Sequence, residues 1–459
     1  MRVRLDGEIV LRDLPPKPLE RLRRRLSVPN PSFVRAKRMG FHTSGEPETI
    51  ESLIEMPDGS VHVPRGSVDV VREVFLRDGV RWSVDDDARS NGSAIWIDDV
   101  PDPVPCRDYQ KEGVYKIAKF LQGMIVLPCG TGKSRLGVAA IRAVNRTALV
   151  TVPTEDLVDQ WCASLRELLG VEAGRVGGGK SDWNADVVVG IPNSLVPLLE
   201  SDPTIGLRFG FVIVDEAHRA PAVTYRRLLR LLPARWRLGL TATPTREDGL
   251  ELLMHWAFGS TLLDRTTQDM IRLGYLQRAE IDIVETGWTF SYTGPEAKRV
   301  AAMERALAED LSRSALVADR VARDARAGES VLVLANRKGM VRELTDMLAA
   351  RGVGVVGVTG ETSKKKRKGA IATLRSGDLS VMVATSLADE GLDVQRLSRI
   401  HLAYPQKARG ATLQRLGRIL RLFPGKKPRL VDYVDRGVPT LARRSDERMR
   451  VYRAAGLLP

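Results

Sequence analysis

A chain of 459 residues is long enough for about three domains at roughly 150 residues each. With 43% apolar and 28% charged residues, it is an ordinary globular chain and not a mostly disordered or collagen-like one. Lys and Arg outnumber Asp and Glu by 71 to 57, a formal charge of +14, and a basic surface of that kind favours a polyanionic partner. The basic excess is local: residues 401–459 hold 14 basic and 4 acidic residues, and Arg21 to Arg38 holds seven basic residues and no acidic one. The longest apolar runs are strand-length, so no membrane span is expected. The charged opening Met1-Arg2-Val3-Arg4 leaves no apolar core for a secretory signal. Cys106, Cys129 and Cys162 form no C-x-x-C pair, which argues against a zinc ribbon or an iron–sulfur cluster. A cytoplasmic location is expected.

In chain order, residues 1–100 read as a small α+β module. Val3 to Leu11 reads as a strand, and Pro18 to Leu26 and Ser32 to Met39 as short helices. Thr49 to Met56 and Ser60 to Pro64 flank the turn signal Asp58-Gly59. Ser67 to Arg77 is helical, with Val68, Val71 and Phe75 on one face. The Pro- and Asp-rich stretch Asp98 to Pro105 reads as a linker. From 101 to 275, β-rich runs alternate with helical patterns: Gly123 to Leu127, Ala148 to Val152, Val187 to Ile191, Phe211 to Val214 and Arg237 to Leu240. A second series fills 276–459: Ser330 to Leu334, Val353 to Val358, Ser380 to Val383, Arg399 to Leu402 and Arg429 to Val431. Such alternation predicts two α/β domains built on parallel sheets.

Pro128-Cys129-Gly130-Thr131-Gly132-Lys133-Ser134 follows a strand and opens a helix. Backbone N–H groups of such a loop, with the helix N-terminus, cradle phosphates. Lys133 would reach the outer phosphates and the Ser134 hydroxyl would ligate Mg²⁺. Leu127 stands where the stricter form of this loop has its first glycine. Phe211-Val212-Ile213-Val214-Asp215-Glu216-Ala217-His218 is an apolar strand ending in two carboxylates. Asp215 at its tip can hold Mg²⁺ through water, and Glu216 can deprotonate the water that attacks a γ-phosphate.

These motifs, in this order, resemble a superfamily 2 helicase over roughly residues 105 to 435. Asp215-Glu216-Ala217-His218 resembles motif II in its DEAH form, which places His218 among the catalytic residues. The resemblance implies two RecA-like motor domains, ATP as the nucleotide and Mg²⁺ as its metal. It assigns Arg107-Asp108-Tyr109-Gln110 to adenine recognition, with Arg107 and Gln110 binding the nucleotide. Val152-Pro153-Thr154, with the helix running to Gln160-Trp161, resembles motif Ia, which touches the nucleic-acid backbone. Thr241-Ala242-Thr243-Pro244 resembles motif III, and Thr154 and Thr243 are candidate nucleic-acid contacts. Thr385 to Asp393 resembles motif V, with Gly391 and Asp393 on the nucleotide, although Asp389-Glu390 departs from its commoner forms. Gln414-Arg415-Leu416-Gly417-Arg418-Ile419-Leu420-Arg421 resembles motif VI: Gln414 is a catalytic candidate, and Arg418 and Arg421, at i and i+3 on a helix, would stabilise charge on the γ-phosphate.

Arg-Glu-Asp at 246–248 resembles the segment after motif III in XPB-type repair helicases, and the compact plan resembles UvsW-type phage recombination helicases. Both types imply DNA as partner, as a single-stranded track with forked or branched duplex, and a monomeric enzyme active in recombination, repair or replication. RNA stays open as an alternative substrate, as does a nucleic-acid clamp that uses ATP without unwinding. Arg24, Arg25, Lys37 and Arg38 are expected to grip duplex phosphates. His401 reads as structural. The Arg443-Arg444 and Arg448 to Arg453 tail reads either as phosphate-binding or as the solvated face of a terminal helix.

Overall fold

The computed structural model describes residues 1–38, 40, 42–43, 45–95, 104–243, 248–385, 394–405 and 415–459. They fall into two compact units, residues 1–127 with 132–264, and residues 128–131 with 265–459. Both are α/β, as the alternation of patterns predicts.

The first unit is built on an eight-stranded sheet. In spatial order its strands are Lys180–Ser181, Gly174–Gly177, Val187–Gly190, Ala148–Thr151, Phe211–Asp215, Trp236–Thr241, Gln122–Val126 and Thr261–Asp264. Every neighbouring pair is parallel except the outermost, Gly174–Gly177 with Lys180–Ser181. The central strands are Val-, Ile- and Leu-rich and buried at every position, as a sheet covered on both faces requires. All five strands expected in this region form. Strands Gly174–Gly177, Lys180–Ser181 and Thr261–Asp264, at or next to the sheet edges, leave no pattern in the sequence because they are short and rich in Gly or polar residues.

The N-terminal module is a five-stranded sheet in the order Ile54–Glu55, Val61–Pro64, Glu8–Arg12, Arg2–Leu5, Ser83–Asp87. The single strand expected from Val3 to Leu11 is instead a hairpin. Asp6 turns the chain by accepting the Glu8 amide at 2.8 Å, and Arg2–Leu5 then pairs antiparallel with Glu8–Arg12. Thr49–Glu51 pairs with Ser27–Pro29, leaving Ile54–Glu55 to form the hairpin across Asp58-Gly59. Helices Pro16–Arg25 and Val68–Arg77 cover this sheet, burying Leu22, Val71 and Phe75. The segment read as a linker lies largely in 96–103, outside the described residues.

This module is locked onto the eight-stranded sheet. Its apolar core takes in Leu250, Leu253 and Trp256 from the eight-stranded-sheet region, the last two on helix Glu251–Phe258. Two buried arginines stitch the backbones together. Arg65 donates to Gln122 Oε1 at 2.8 Å and to the carbonyls of Ala234 and Arg235. Arg237 donates to the carbonyls of Gly7 at 3.0 Å, Leu229 at 2.9 Å and Leu232 at 3.0 Å. Burial pushes the Arg237 pKa down to about 10, and its carbonyl partners offset part of that cost. Gly66 approaches closely: a Cβ there would overlap the backbone of Gly259, His255 and Phe258.

The second unit carries a six-stranded, wholly parallel sheet. Its order is Glu280–Glu285, Arg429–Val434, Arg399–Leu402, Val331–Leu334, Val381–Ala384, Val355–Val358. The terminal helix Pro439–Ala454 is fastened from within. Arg448 donates twice to Asp432, at 2.7 and 2.8 Å, and Tyr452 donates to the same carboxylate at 2.8 Å. Arg444 pairs with Glu304 at 2.9 Å. These two arginines therefore hold the fold rather than bind phosphate or face solvent. His401, fully buried between Asp324 at 2.9 Å and Tyr433 at 3.0 Å, is structural as expected.

Gly66→Ala should lower stability by about 1–3 kcal/mol, the usual cost of overpacking, because only backbone surrounds the added methyl. Gly369→Ala, on an open face of helix Lys364–Ser376, should instead gain about 0.5–1 kcal/mol. Urea unfolding followed by tryptophan fluorescence checks both. A wild-type midpoint for Gly66→Ala would show that module and motor are not packed as described.

Candidate active site

Parallel strands bring their carboxyl ends to one edge, and in the first unit that edge leads to Lys133, Ser134, Asp215, Glu216 and His218. Thr241 lies in register with Val126, and Asp215 with Leu240. The chain leaves Val126 through the phosphate loop and enters helix Lys133–Val144. Gly130 (φ 83°) and Gly132 (φ 82°) take left-handed backbone, a conformation that costs glycine little. Thr131 is buried and closes the loop by donating to the Pro128 carbonyl at 2.7 Å. Ser134 lies in the first turn of the helix, next to Lys133, whose Nζ reaches the Leu127 carbonyl at 3.4 Å.

Gln110, expected to read adenine, is 1% exposed. Its Oε1 accepts the Arg107 amide at 2.9 Å and its Nε2 donates to the Gly132 carbonyl at 3.0 Å. It thus ties helix Asp108–Phe120 to the loop. Arg107 caps that helix, and its guanidinium donates to Tyr109 Oη at 3.2 Å.

Asp215 ends its strand 4% exposed. Its Oδ2 accepts the indole N–H of Trp161 at 2.8 Å, and its Oδ1 accepts the Glu216 amide at 2.9 Å. Trp161, expected near the nucleic-acid backbone, is fully buried on helix Glu155–Leu169; its work is to hold this carboxylate. A tryptophan at helical spacing among apolar residues gives no hint of that role in sequence. Thr154 caps the same helix, accepting the Leu157 amide at 3.4 Å.

Glu216 follows in left-handed backbone (φ 51°), strained for a residue with a Cβ. Its Oε2 lies 3.3 Å from His218 Nδ1, and that same nitrogen lies 3.4 Å from Thr241 Oγ1. Thr243 is 5% exposed, its amide donating to Thr241 Oγ1 at 3.1 Å. The segment after motif II is thereby linked to the end of the next strand. The two carboxylates titrate in opposite senses. Burial, then the Glu216 charge, push Asp215 up. Burial pushes Glu216 up as well, but the His218 hydrogen bond and the charges of Lys133 and Arg219 outweigh it and hold it down. That field favours the ionised form of Glu216, the state a general base needs.

Ser134 and Asp215 offer hard oxygen donors, which suit Mg²⁺. That ion usually keeps several waters and takes one or two protein ligands beside substrate phosphates. Both Asp215 oxygens already accept hydrogen bonds, which fits a hold through water. Among the described residues, no cluster of three or more His, Cys, Asp or Glu could hold a metal.

In the second unit, residues 415–419 are helical and the helix ends before Arg421. Arg418 and Arg421 therefore do not share a helix as the i, i+3 spacing predicts; the chain turns at Leu420, ahead of Pro424-Gly425. Burial, and the nearby Arg375 charge, lower the Arg421 pKa. Lys426, which sequence reading passed over, is 8% exposed and donates to the Gln395 carbonyl at 2.8 Å. Burial and the Arg421 charge push it down to about 8. Gly391, Asp393 and Gln414 lie outside the described residues.

The basic segment of the N-terminal module is partly neutralised. Arg21 pairs with Asp78 at 3.0 Å, Arg23 with Glu55, and Arg25 with Glu73 through two bonds at 2.8 and 2.9 Å. Arg24, Arg25, Lys37 and Arg38 are all exposed, and Arg25 is matched by an acid.

Residues 103–246 match the family described as type III restriction enzyme, res subunit, and residues 312–423 match the helicase conserved C-terminal domain. Over 375 residues the chain is 27% identical to the DNA 3'-5' translocase XPB2 of Sulfurisphaera tokodaii, covering 74% of this chain and 83% of that protein. It is 32% identical over 372 residues to the DNA 3'-5' helicase XPB of Kineococcus radiotolerans, covering 76% of this chain and 63% of the relative. The structure of S. cerevisiae Dbp5 bound to RNA and ADP BeF3 shares the fold, with a TM-score of 0.53 at 16% identity, covering 78% of this chain and 93% of that one. No helix among the described residues is long and apolar enough to cross a membrane.

Trp161→Phe keeps the ring but removes the bond to Asp215. Because that bond favours the ionised carboxylate, the loss should cost about 1.5–3 kcal/mol of stability near pH 8. The cost should shrink as the pH falls and Asp215 takes up a proton. Urea unfolding at several pH values measures it, and a cost independent of pH would mean that Asp215 is not ionised in the native state.

Proposed function

This chain belongs to the superfamily 2 helicases, enzymes that hydrolyse ATP, and we propose that it couples hydrolysis to movement along DNA, unwinding or remodelling branched DNA. The observation that carries this reading is the placement of Glu216 just past the end of a parallel strand, next to Asp215, with its Oε2 3.3 Å from His218 Nδ1, which lies 3.4 Å from Thr241 Oγ1.

The phosphate loop, Gly130 to Ser134, would hold the triphosphate by its backbone N–H groups, with Lys133 against the outer phosphates. Arg107 and Gln110 would flank the nucleotide at the base of that loop. Ser134 and Asp215 would hold Mg²⁺, which when bound neutralises charge on the phosphates. Glu216 would take the proton of the attacking water, and His218 would fix its carboxylate. Arg418 and Arg421 would stabilise the charge that develops on the transferring phosphoryl group. That similar proteins are named DNA translocases and helicases supports DNA as the track. Exposed Arg24, Lys37 and Arg38 would add contacts to duplex phosphates; Arg25, already paired with Glu73, would not.

ATP turnover with single-stranded DNA, forked DNA and RNA tests the substrate. DNA should stimulate and RNA should not; stimulation by RNA alone would make this an RNA-dependent enzyme. Replacing Arg24, Lys37 and Arg38 together by Ala should weaken fork binding and flatten its log–log salt slope by about 3. An unchanged slope would remove them from the interface. Arg418→Ala or Arg421→Ala should lower turnover by about 10³-fold with much less effect on ATP affinity. Loss of affinity with turnover of bound ATP preserved would contradict the role given to them.

A further inference from the structure

In the second unit, two residues outside the catalytic set, Gln277 and Lys426, hold the loop that starts at Arg421. The helix over 415–419 ends at Leu420, which is buried. The Leu420 carbonyl accepts the Gln277 amide at 2.7 Å. Residues 422–425 are all exposed, so packing does little to fix their path. A turn then brings the Lys426 amide to the Phe423 carbonyl at 3.2 Å, and the chain returns to the interior.

Lys426 anchors the far end of this loop. Its carbonyl accepts Gln277 Nε2 at 3.1 Å, and its ammonium donates to the Gln395 carbonyl at 2.8 Å. One glutamine thus bonds both ends of the loop. One ammonium ties the loop to the segment that follows motif V. An ammonium in this place is costly, because burial and the Arg421 guanidinium both disfavour its charge. A methionine would fill the same space without that cost. What methionine lacks is a charge-assisted bond to a carbonyl on a separate segment. Arg421 is the first residue between the two anchors. Releasing one anchor lets residues 421–425 take other paths, and a misplacement of about 1 Å can cost on the order of 10²-fold in rate.

We propose that Lys426 is a positioning residue for Arg421, fixing the loop after motif VI against the segment after motif V so that the guanidinium is aimed at the γ-phosphate. The proposal rests on the reading of Arg421 as a group that stabilises charge on the transferring phosphoryl group, and it adds the residue that sets its aim. Lys426 acts through Arg421 and not on the nucleotide.

The test measures single-turnover hydrolysis of bound ATP by the full chain at saturating DNA, together with ATP affinity. Lys426→Met removes the charge at similar length. It should slow hydrolysis by about tenfold, the size of one hydrogen bond to a charged group, while ATP affinity is kept. Lys426→Arg retains a cationic donor and should recover most of the rate. Gln277→Ala loses the side-chain bond to the Lys426 carbonyl and should slow the same step by about fivefold; it decides the matter if Lys426→Met does not fold. Added to Arg421→Ala, either change should cost nothing further, because both act through that guanidinium. Wild-type rates in both variants would overturn the proposal, as would the same slowing in the Arg421→Ala background. If Arg421→Ala alone leaves the rate unchanged, the role given to Arg421 fails and this inference fails with it.

Discussion

Holding a carboxylate in the interior of a sheet edge is the constraint on which the first unit depends. An ionised carboxyl group out of water is stable only when hydrogen bonds replace its hydration. Asp215 receives them from the indole of Trp161 and the amide of Glu216, and the Lys133 charge offsets part of the rise in pKa that burial and Glu216 impose. Those two bonds fix the helix after strand Ala148–Thr151 and the segment after Asp215 relative to one another. The left-handed backbone of Glu216 is the local cost of turning the chain so sharply at that point. In return, the second carboxylate stands beside the first but in a different field, where His218, Lys133 and Arg219 keep it ionised.

Strand Trp236–Thr241 links this edge to the rest of the unit. Thr241 at its carboxyl end touches His218, and Arg237, near its start, is bound to the Gly7 carbonyl of the N-terminal module. Arg65 reinforces the same junction from the module side. The module therefore rides with the first motor sheet as one body and is not a tethered domain. Whatever nucleic acid it contacts is positioned relative to the ATP site by packed backbone.

What was legible in sequence was local. Runs of Val, Ile and Leu marked the buried parallel strands because a strand covered on both faces has no polar side. The glycines and Lys133 marked the phosphate loop because few other backbones need left-handed turns just ahead of a helix. Asp215 and Glu216 were visible as charges at the end of an apolar strand. What was not legible depended on distant partners. Trp161 meets Asp215 across 54 residues, and Arg25 meets Glu73 across 48, so a structural tryptophan read as part of a nucleic-acid contact and a neutralised arginine as a free cation. The terminal arginines misled in the same way, since Asp432 lies in a strand and Glu304 in a helix far earlier in the chain. Helical spacing carried Arg421 onto a helix that ends first. The edge strand Glu280–Glu285 escaped because half of its residues, Glu280, Asp282 and Glu285, are acidic.

The central claim is that Glu216 is the general base of a hydrolytic site built on this edge. Glu216→Gln keeps the shape and removes the proton acceptor. Single-turnover hydrolysis of bound ATP, with DNA present, should slow by about 10² to 10⁴-fold, while ATP still binds. Hydrolysis at the wild-type rate would contradict the account and require another group to activate the water.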